Sequence, residues 1–411
     1  MPKPFRFSST DLSHEAQLLL CCARTQVGAA NAERIIALLQ EDIDWDFLLQ
    51  LAFNHKLAPL LYRNLEAVCP HNIPASARTE LREQIQVDIE GNLVLTKELL
   101  YLLALFNQHG IQMVPYKGPV LALSVYGDLA LRPSSDLDIL VQEGDILQAT
   151  DLLTSCGYQI LRPFSVARTE KSLQLLYVHQ LVRKASWAYQ LVLSHANRQV
   201  LIELHWRVTP KHVFSLNPQQ LWENLQPVTV AGVTAPTFAP EQLLWFLCVH
   251  GAKHQWGRLH WICDVAELIR AHPNLNWEQI VVQAKKFGVE RRLYLGLLLA
   301  HSLLETPLPK AIETKLESMP QVRALAQQVI ERIFDARELT TGAQNLDSLL
   351  FPLKAMDRMA DRSRYLLHLA TPATRDRAIV KLPASLSLLY YLLKPVRLAR
   401  RYILRLTKRV R

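Results

Sequence analysis

The hydrophobic period of the chain changes between residues 110 and 238, and this change bounds the fold. Before it, residues 10 to 109 carry apolar side chains at helical spacing, as in Leu18–Cys22, Ile35–Leu39 and Phe47–Leu61. A long helix is predicted from about Ser76 to Gln108 on Leu81, Ile85, Ile89, Leu95, Leu99, Leu102 and Phe106, with Gly110 as its stop. Short runs with β-branched members follow. Ile111–Tyr116, Leu137–Val141 and Tyr158–Leu161 read as strands, and Asp145–Ser155 as a helix ending at Gly157. Ala188–His195 and Gln199–Trp206 flank Ala196-Asn197-Arg198, a hairpin signal. A smaller hairpin is expected at Val228–Phe238 around Gly232. From Pro240 the helical period returns in Glu241–His254, Leu259–Ala271, Trp277–Phe287 and Glu290–Leu304.

An α+β protein follows, with a mixed sheet between two helical regions. The expected division is an N-terminal helical region over 1–109, a sheet-bearing core over 110–238 and a helical domain packing on it over 239–334. Residues 335–411 are expected to be a linker and basic C-terminal helices, interrupted at Pro395. A length of 411 residues suits two or three domains.

Composition narrows the class. Half the residues are apolar and a fifth charged, as in soluble globular proteins. No secretory leader is legible, and no window holds about 18 uninterrupted apolar residues. The expected location is the cytoplasm, with a peripheral membrane position left open. The six cysteines form no CxxC pair and read as free thiols, so no disulfide partner is expected. The net charge is +9, but residues 394–411 hold eight Lys or Arg and no acid, leaving the rest of the chain at +1. The basic character belongs to one tail. It suits contact with an anionic membrane or nucleic acid through 394–411, or a docked terminal helix with its cations in solvent.

The chemistry concentrates around Tyr116-Lys117-Gly118-Pro119 and Arg132-Pro-Ser-Ser-Asp136-Leu-Asp138-Ile-Leu-Val141. Residues two apart on a strand share a face, so Asp136 and Asp138 project together. Two carboxylates held this close repel each other, and a divalent cation removes that cost. Magnesium (or Mn²⁺) at such a site serves phosphoryl and nucleotidyl transfer. A third acid is available on Leu201-Ile-Glu-Leu-His-Trp206, where Glu203 and His205 share a face. Glu203 would complete the metal site or act as a base. Gly118 lets backbone approach a phosphate, and Lys117 and Arg132 add charge, Arg132 to a triphosphate or to a carboxylate.

These motifs resemble the DNA polymerase β-like nucleotidyltransferase superfamily. Within it they are similar to a family of uncharacterised bacterial nucleotidyltransferases with a Lys-Gly turn, an Arg before Asp-x-Asp, and a Glu-x-His-Trp strand. Here these are Lys117-Gly118, Arg132, Asp136-Leu-Asp138 and Glu203-Leu-His205-Trp206. The likeness runs over roughly residues 40 to 300, through Leu243–Trp256 and Arg258–Asp264. Pro119 replaces the serine of the superfamily turn, and the gap to Asp136 is longer, as in the named family. The resemblance implies a polymerase-β-like mixed sheet and a nucleoside triphosphate, such as ATP, as substrate. It implies catalysis and metal binding by Asp136, Asp138 and Glu203, and nucleotide binding by Lys117, Gly118, Arg132 and Lys253. The acceptor stays open among protein, RNA, sugar and small molecule. Two other readings remain: a non-catalytic nucleotide- or partner-binding protein on the same fold, and a peripheral membrane protein of a surface-polysaccharide pathway.

Bland roles compete for the remaining polar residues. His250 and His254 share a helix face near Lys253 and Arg258, and Gly251 between them excludes the usual zinc-protease motif. His205 reads as a histidine orienting Glu203, with a role as a base or phosphate contact as the alternative. Asp128 reads as a turn residue bonding its own backbone, and Asp145 as an acid at a helix start. Asp264 is expected to cap or to pair locally with Arg258.

Overall fold

The strand-forming runs assemble into one mixed sheet. A computed structural model describes residues 12–162, 170–184, 188–210, 221–335 and 346–370. The expectations for 382–411, including the basic tail, lie outside these residues. Strands β1 (Met113–Pro115), β2 (Leu137–Val141), β3 (Gln159–Arg162), β4 (Gln190–His195) and β5 (Val200–His205) lie in the order β1-β2-β5-β4-β3. β2 and β5 run parallel, whereas the other three pairings are antiparallel. β6 (Leu225–Val230) and β7 (Val233–Phe238) form a separate hairpin. Its turn residues Ala231 and Gly232 both have positive φ, matching the twist of a two-residue hairpin.

The architecture is α+β. Helices α1 (His14–Cys22), α2 (Ala29–Leu38), α3 (Trp45–Asn54), α4 (Ala58–Val68) and α5 (Ala75–Gln108) precede the sheet. One turn, α6 (Pro119–Leu121), runs into a π-helical stretch, Ala122–Tyr126. Within the sheet region lie α7 (Ile146–Ser155) and α8 (Lys171–Lys184). Then come α9 (Pro240–Lys253), α10 (Leu259–Ala271), α11 (Trp277–Phe287), α12 (Glu290–Leu304), α13 (Lys310–Glu317) and α14 (Pro320–Ile333). Two more helices, Leu346–Lys354 and Met359–Ala370, occupy part of the stretch read as linker. No described helix is long and apolar enough to cross a membrane.

Two cores meet at the sheet. On one face, Leu137, Ile139 and Val141 of β2 join Ile202 and Leu204 of β5 and Leu95, Leu99, Leu102 and Phe106 of α5. The other core takes Val114, Tyr116 and Leu140 from the sheet side and Phe238 from β7, and is otherwise mainly helical. It draws on α1–α4 and α9–α14 together, so segments from before and after the sheet share one interior. α5 serves both. Ala77 and Leu81 near its start belong to the helical core, and Leu95 to Phe106 to the sheet core. Its 34 residues give it a length of about 51 Å.

Candidate active site

The parallel pairing of β2 with β5 sets Asp138 directly beside Glu203. His205, two residues further along β5, shares their face. Its Nε2 lies 3.2 Å from Asp138 Oδ1 and 3.5 Å from Glu203 Oε2. Lys117, following β1, donates from Nζ to Asp138 Oδ1 at 2.8 Å and approaches His250 Nδ1 at 3.3 Å. Asp138, Glu203 and His205 each offer a ligand atom, all within 4.8 Å of one another. Asp136 is half-buried one residue before β2 and lies outside that group of three. His205 thus touches both acids and does more than orient Glu203.

The charges are unevenly satisfied. Burial works to raise the Asp138 carboxyl, but Lys117 and His205 outweigh it and hold Asp138 well below the ordinary range. Burial also opposes ionisation of Glu203, and the His205 hydrogen bond overrides it. Burial opposes a charge on His205, yet its bonds to Asp138 and Glu203 raise its pKa. Among the described residues Asp136 has no such hydrogen-bonded partner, and the more distant Lys117 and Lys56 offset its burial only in part. Burial, then Asp138 and Glu203, push its carboxyl up to about 6. Three carboxylates thus crowd this side of the cavity. A divalent cation would relieve their repulsion, and the ligand atoms of Asp138, Glu203 and His205 could hold one. The buried Nδ1 of His205 has no hydrogen-bond partner among the described residues.

Gly118 fixes the turn that presents Lys117. Its φ is +60°, and a Cβ there would stand 3.2 Å from the Asp136 carbonyl oxygen. The turn is thus packed against the acidic loop. Pro119 occupies the first helical position, where its missing N–H costs nothing.

The loop before the acids is clamped from two sides. Arg132 donates to both carboxylate oxygens of Asp264 on α10, at 2.7 and 2.8 Å, and to Ser134 Oγ at 3.2 Å. Tyr126 donates to the same Asp264 at 2.7 Å. Asn92 of α5 bonds the Arg132 carbonyl at 3.0 Å and the Ser134 amide at 3.1 Å. Asp264 therefore pairs with Arg132 across the fold, not locally with Arg258. Its two carboxylate oxygens engage Arg132 through Nε and Nη2. Asp128 accepts from the Ala130 amide at 2.8 Å, as a turn residue should.

A cavity of about 430 Å³ opens over these groups. Lys117, Gly118, Arg132, Asp136, Asp138 and Glu203 line it, as do His250, Lys253 and His254 of the α9 end. Lys253 donates to the Tyr189 hydroxyl. Burial, then Lys117, lower its ammonium to about 8. Burial and Lys117 likewise keep His250 neutral, so its Nδ1 can accept from Lys117. Gly251 is required by packing: a Cβ there would fall 2.4 Å from the buried Trp256 ring.

Lining residues that escaped the sequence reading include Lys56 between α3 and α4, Tyr189 before β4, and Val208 after β5. Tyr189 alone left a signal, since the hairpin carries it opposite the segment after His205, where the amides of Trp206 and Arg207 point to its carbonyl.

A family model described as an uncharacterised nucleotidyltransferase matches residues 41–305, a span that contains the whole site. No curated protein matches the chain. The chain belongs to this nucleotidyltransferase family and is a transferase.

Proposed function

We propose that the protein moves a nucleoside monophosphate from a nucleoside triphosphate to an acceptor, with Mg²⁺ (or Mn²⁺) held by Asp136, Asp138 and Glu203. The observation that carries this reading is the β2–β5 register, which sets Asp138 beside Glu203, with Asp136 lining the same cavity. When bound, the cation neutralises phosphate charge and favours displacement at phosphorus. Lys117 and Lys253 face the same space and are suited to bind phosphate oxygens. Gly118 holds the Lys117 turn against the acids. Arg132, with Asp264 on its guanidinium, acts chiefly by fixing the loop that carries Asp136. Glu203 takes the proton from the acceptor's attacking group. A bond forms from that group to the α-phosphorus, and the bond to the leaving pyrophosphate breaks.

The test is incubation with each labelled nucleoside triphosphate, Mg²⁺ and cell extract, with Asp136→Ala/Asp138→Ala as control. Label should enter an acceptor only with the unaltered protein. Equal transfer by the double variant overturns the reading.

A further inference from the structure

Lys56 and Arg258 are neighbours in this cavity, Lys56 beside the loop before Asp136, and no role above uses them. Both line it. Lys56 Nζ lies 3.4 Å from Ser135 Oγ, in the loop before Asp136. Arg258 is the N-cap residue of α10 and makes no side-chain cap bond. His55 brings them together. Its ring is fully buried, with Nε2 3.1 Å from the Ile333 carbonyl and Nδ1 accepting from the Leu259 amide at 3.2 Å. The chain neighbours of that second bond are Lys56 and Arg258.

Two cations held side by side repel, as paired carboxylates do. Among the described residues neither has a carboxylate within ion-pair distance, although Lys56 lies near Asp136. The backbone is also strained toward this arrangement. Lys56 has φ +56°, a left-handed conformation that residues with a Cβ rarely adopt. An anion between the two groups would relieve the repulsion, and the positive end of α10 adds to the attraction.

We propose that Lys56 and Arg258 form a pyrophosphate subsite, which grips the donor phosphates beyond the one transferred. The inference rests on the nucleotidyl-transfer reading. Attacking and leaving oxygens lie in line on opposite sides of the phosphorus. Lys253 bonds Tyr189 on the β4 side of the cavity, whereas Lys56 reaches Ser135 in the loop before Asp136. With the acceptor at Glu203, the leaving phosphates extend toward Lys56 and Arg258. The guanidinium can bind two phosphate oxygens and the ammonium acts as a point charge. The N-terminal helices thereby contribute directly to the site.

Calorimetric titration with inorganic pyrophosphate in Mg²⁺ buffer tests the proposal. Lys56→Gly and Arg258→Gln should each weaken pyrophosphate binding about tenfold, and the double variant more. Affinity for a nucleoside monophosphate should change less than about twofold, because its single phosphate does not reach the subsite. Glycine accepts the backbone conformation at position 56, so the melting temperature of Lys56→Gly should not fall. A binding loss there is therefore not a folding defect. The subsite is overturned if the wild-type chain binds no pyrophosphate, if the double variant keeps wild-type affinity, or if monophosphate binding falls equally. Pyrophosphate binding through these residues, without label transfer in the extract assay, would leave the subsite standing and remove the transfer reading alone.

Discussion

Arg132 meets Asp264 edge to edge, Nε to Oδ1 at 2.7 Å and Nη2 to Oδ2 at 2.8 Å, and so ties the loop before the acids to α10. Asp264 is 1% exposed. Removing one partner strands a buried charge. Asp264→Ala should therefore lose about 3–5 kcal/mol of stability, measured by urea unfolding. Arg132→Met/Asp264→Leu should lose much less, because no charge is left unpaired. An Asp264→Ala midpoint equal to wild type would show that the clamp does not hold the fold.

Glu203 is less buried than Asp138, its side chain 28% exposed against 5%, and it faces the cavity. This suits a group that meets the acceptor. Glu203→Gln should lower the rate of transfer by about 10²–10⁴-fold. Triphosphate binding should change little. A rate loss below about tenfold would remove Glu203 as the base.

Asp136 carries the pH signature of the site. Burial, Asp138 and Glu203 raise its carboxyl to about 6, against 3.8 unperturbed. Below the unfolded value it is protonated in both states and costs nothing. Above the folded value its charge destabilises the protein in full. Without divalent cation, Asp136→Asn should therefore stabilise the protein at pH 7–8 by about 1–2 kcal/mol, discounted for partial exposure. The gain should shrink as pH falls through about 6 and vanish below about 4. Mg²⁺ should raise the wild-type melting temperature more than that of the variant. A constant gain from pH 4 to 8 would contradict the assignment.

His55 produces the opposite slope. Burial lowers its pKa from 6.5 to about 4, and its Nδ1 must stay unprotonated to accept from Leu259. The unfolded chain takes up the proton first. This contribution is fully present above pH 6.5 and is lost as pH falls from 6.5 toward 4, up to about 3 kcal/mol. His55→Gln should flatten that part of the pH profile of urea midpoints. An unchanged slope would move the effect to other histidines.

The strand β2, the β4–β5 hairpin and the helices α9 to α12 are legible because each is written in a local pattern. Leu137–Val141 is continuously apolar, and the hairpin strands flank a short polar turn. Glu203 is legible as an acid inside an apolar strand. The parallel β2–β5 register is not, since nothing local to either strand encodes a pairing between segments so far apart. Lys56 is invisible for the same reason: its place depends on His55 reaching α10 and α14. Proximity in sequence favoured Arg258 as the partner of Asp264, but Arg258 lies at the N-cap of α10 beside the cavity and the clamp comes from Arg132. α8 escaped because Leu173 and Leu176 are exposed, which blurs its apolar stripe. Pro352 inside Leu346–Lys354 similarly hides a helix in the stretch read as linker.

The interior shared by α1–α4 and α9–α14 has a consequence for synthesis. Thr25 bonds Glu267 and His55 bonds Ile333, contacts that span 242 and 278 residues. The N-terminal helices leave the ribosome long before their packing partners exist. Until α14 emerges, Leu18, Leu48 and Leu61 have no complete interior to enter. The nascent chain must carry this apolar surface through most of translation, when aggregation competes with folding. Ribosome-bound chains ending before residue 305 should therefore be cleaved readily within α1–α4, and full-length chains should not.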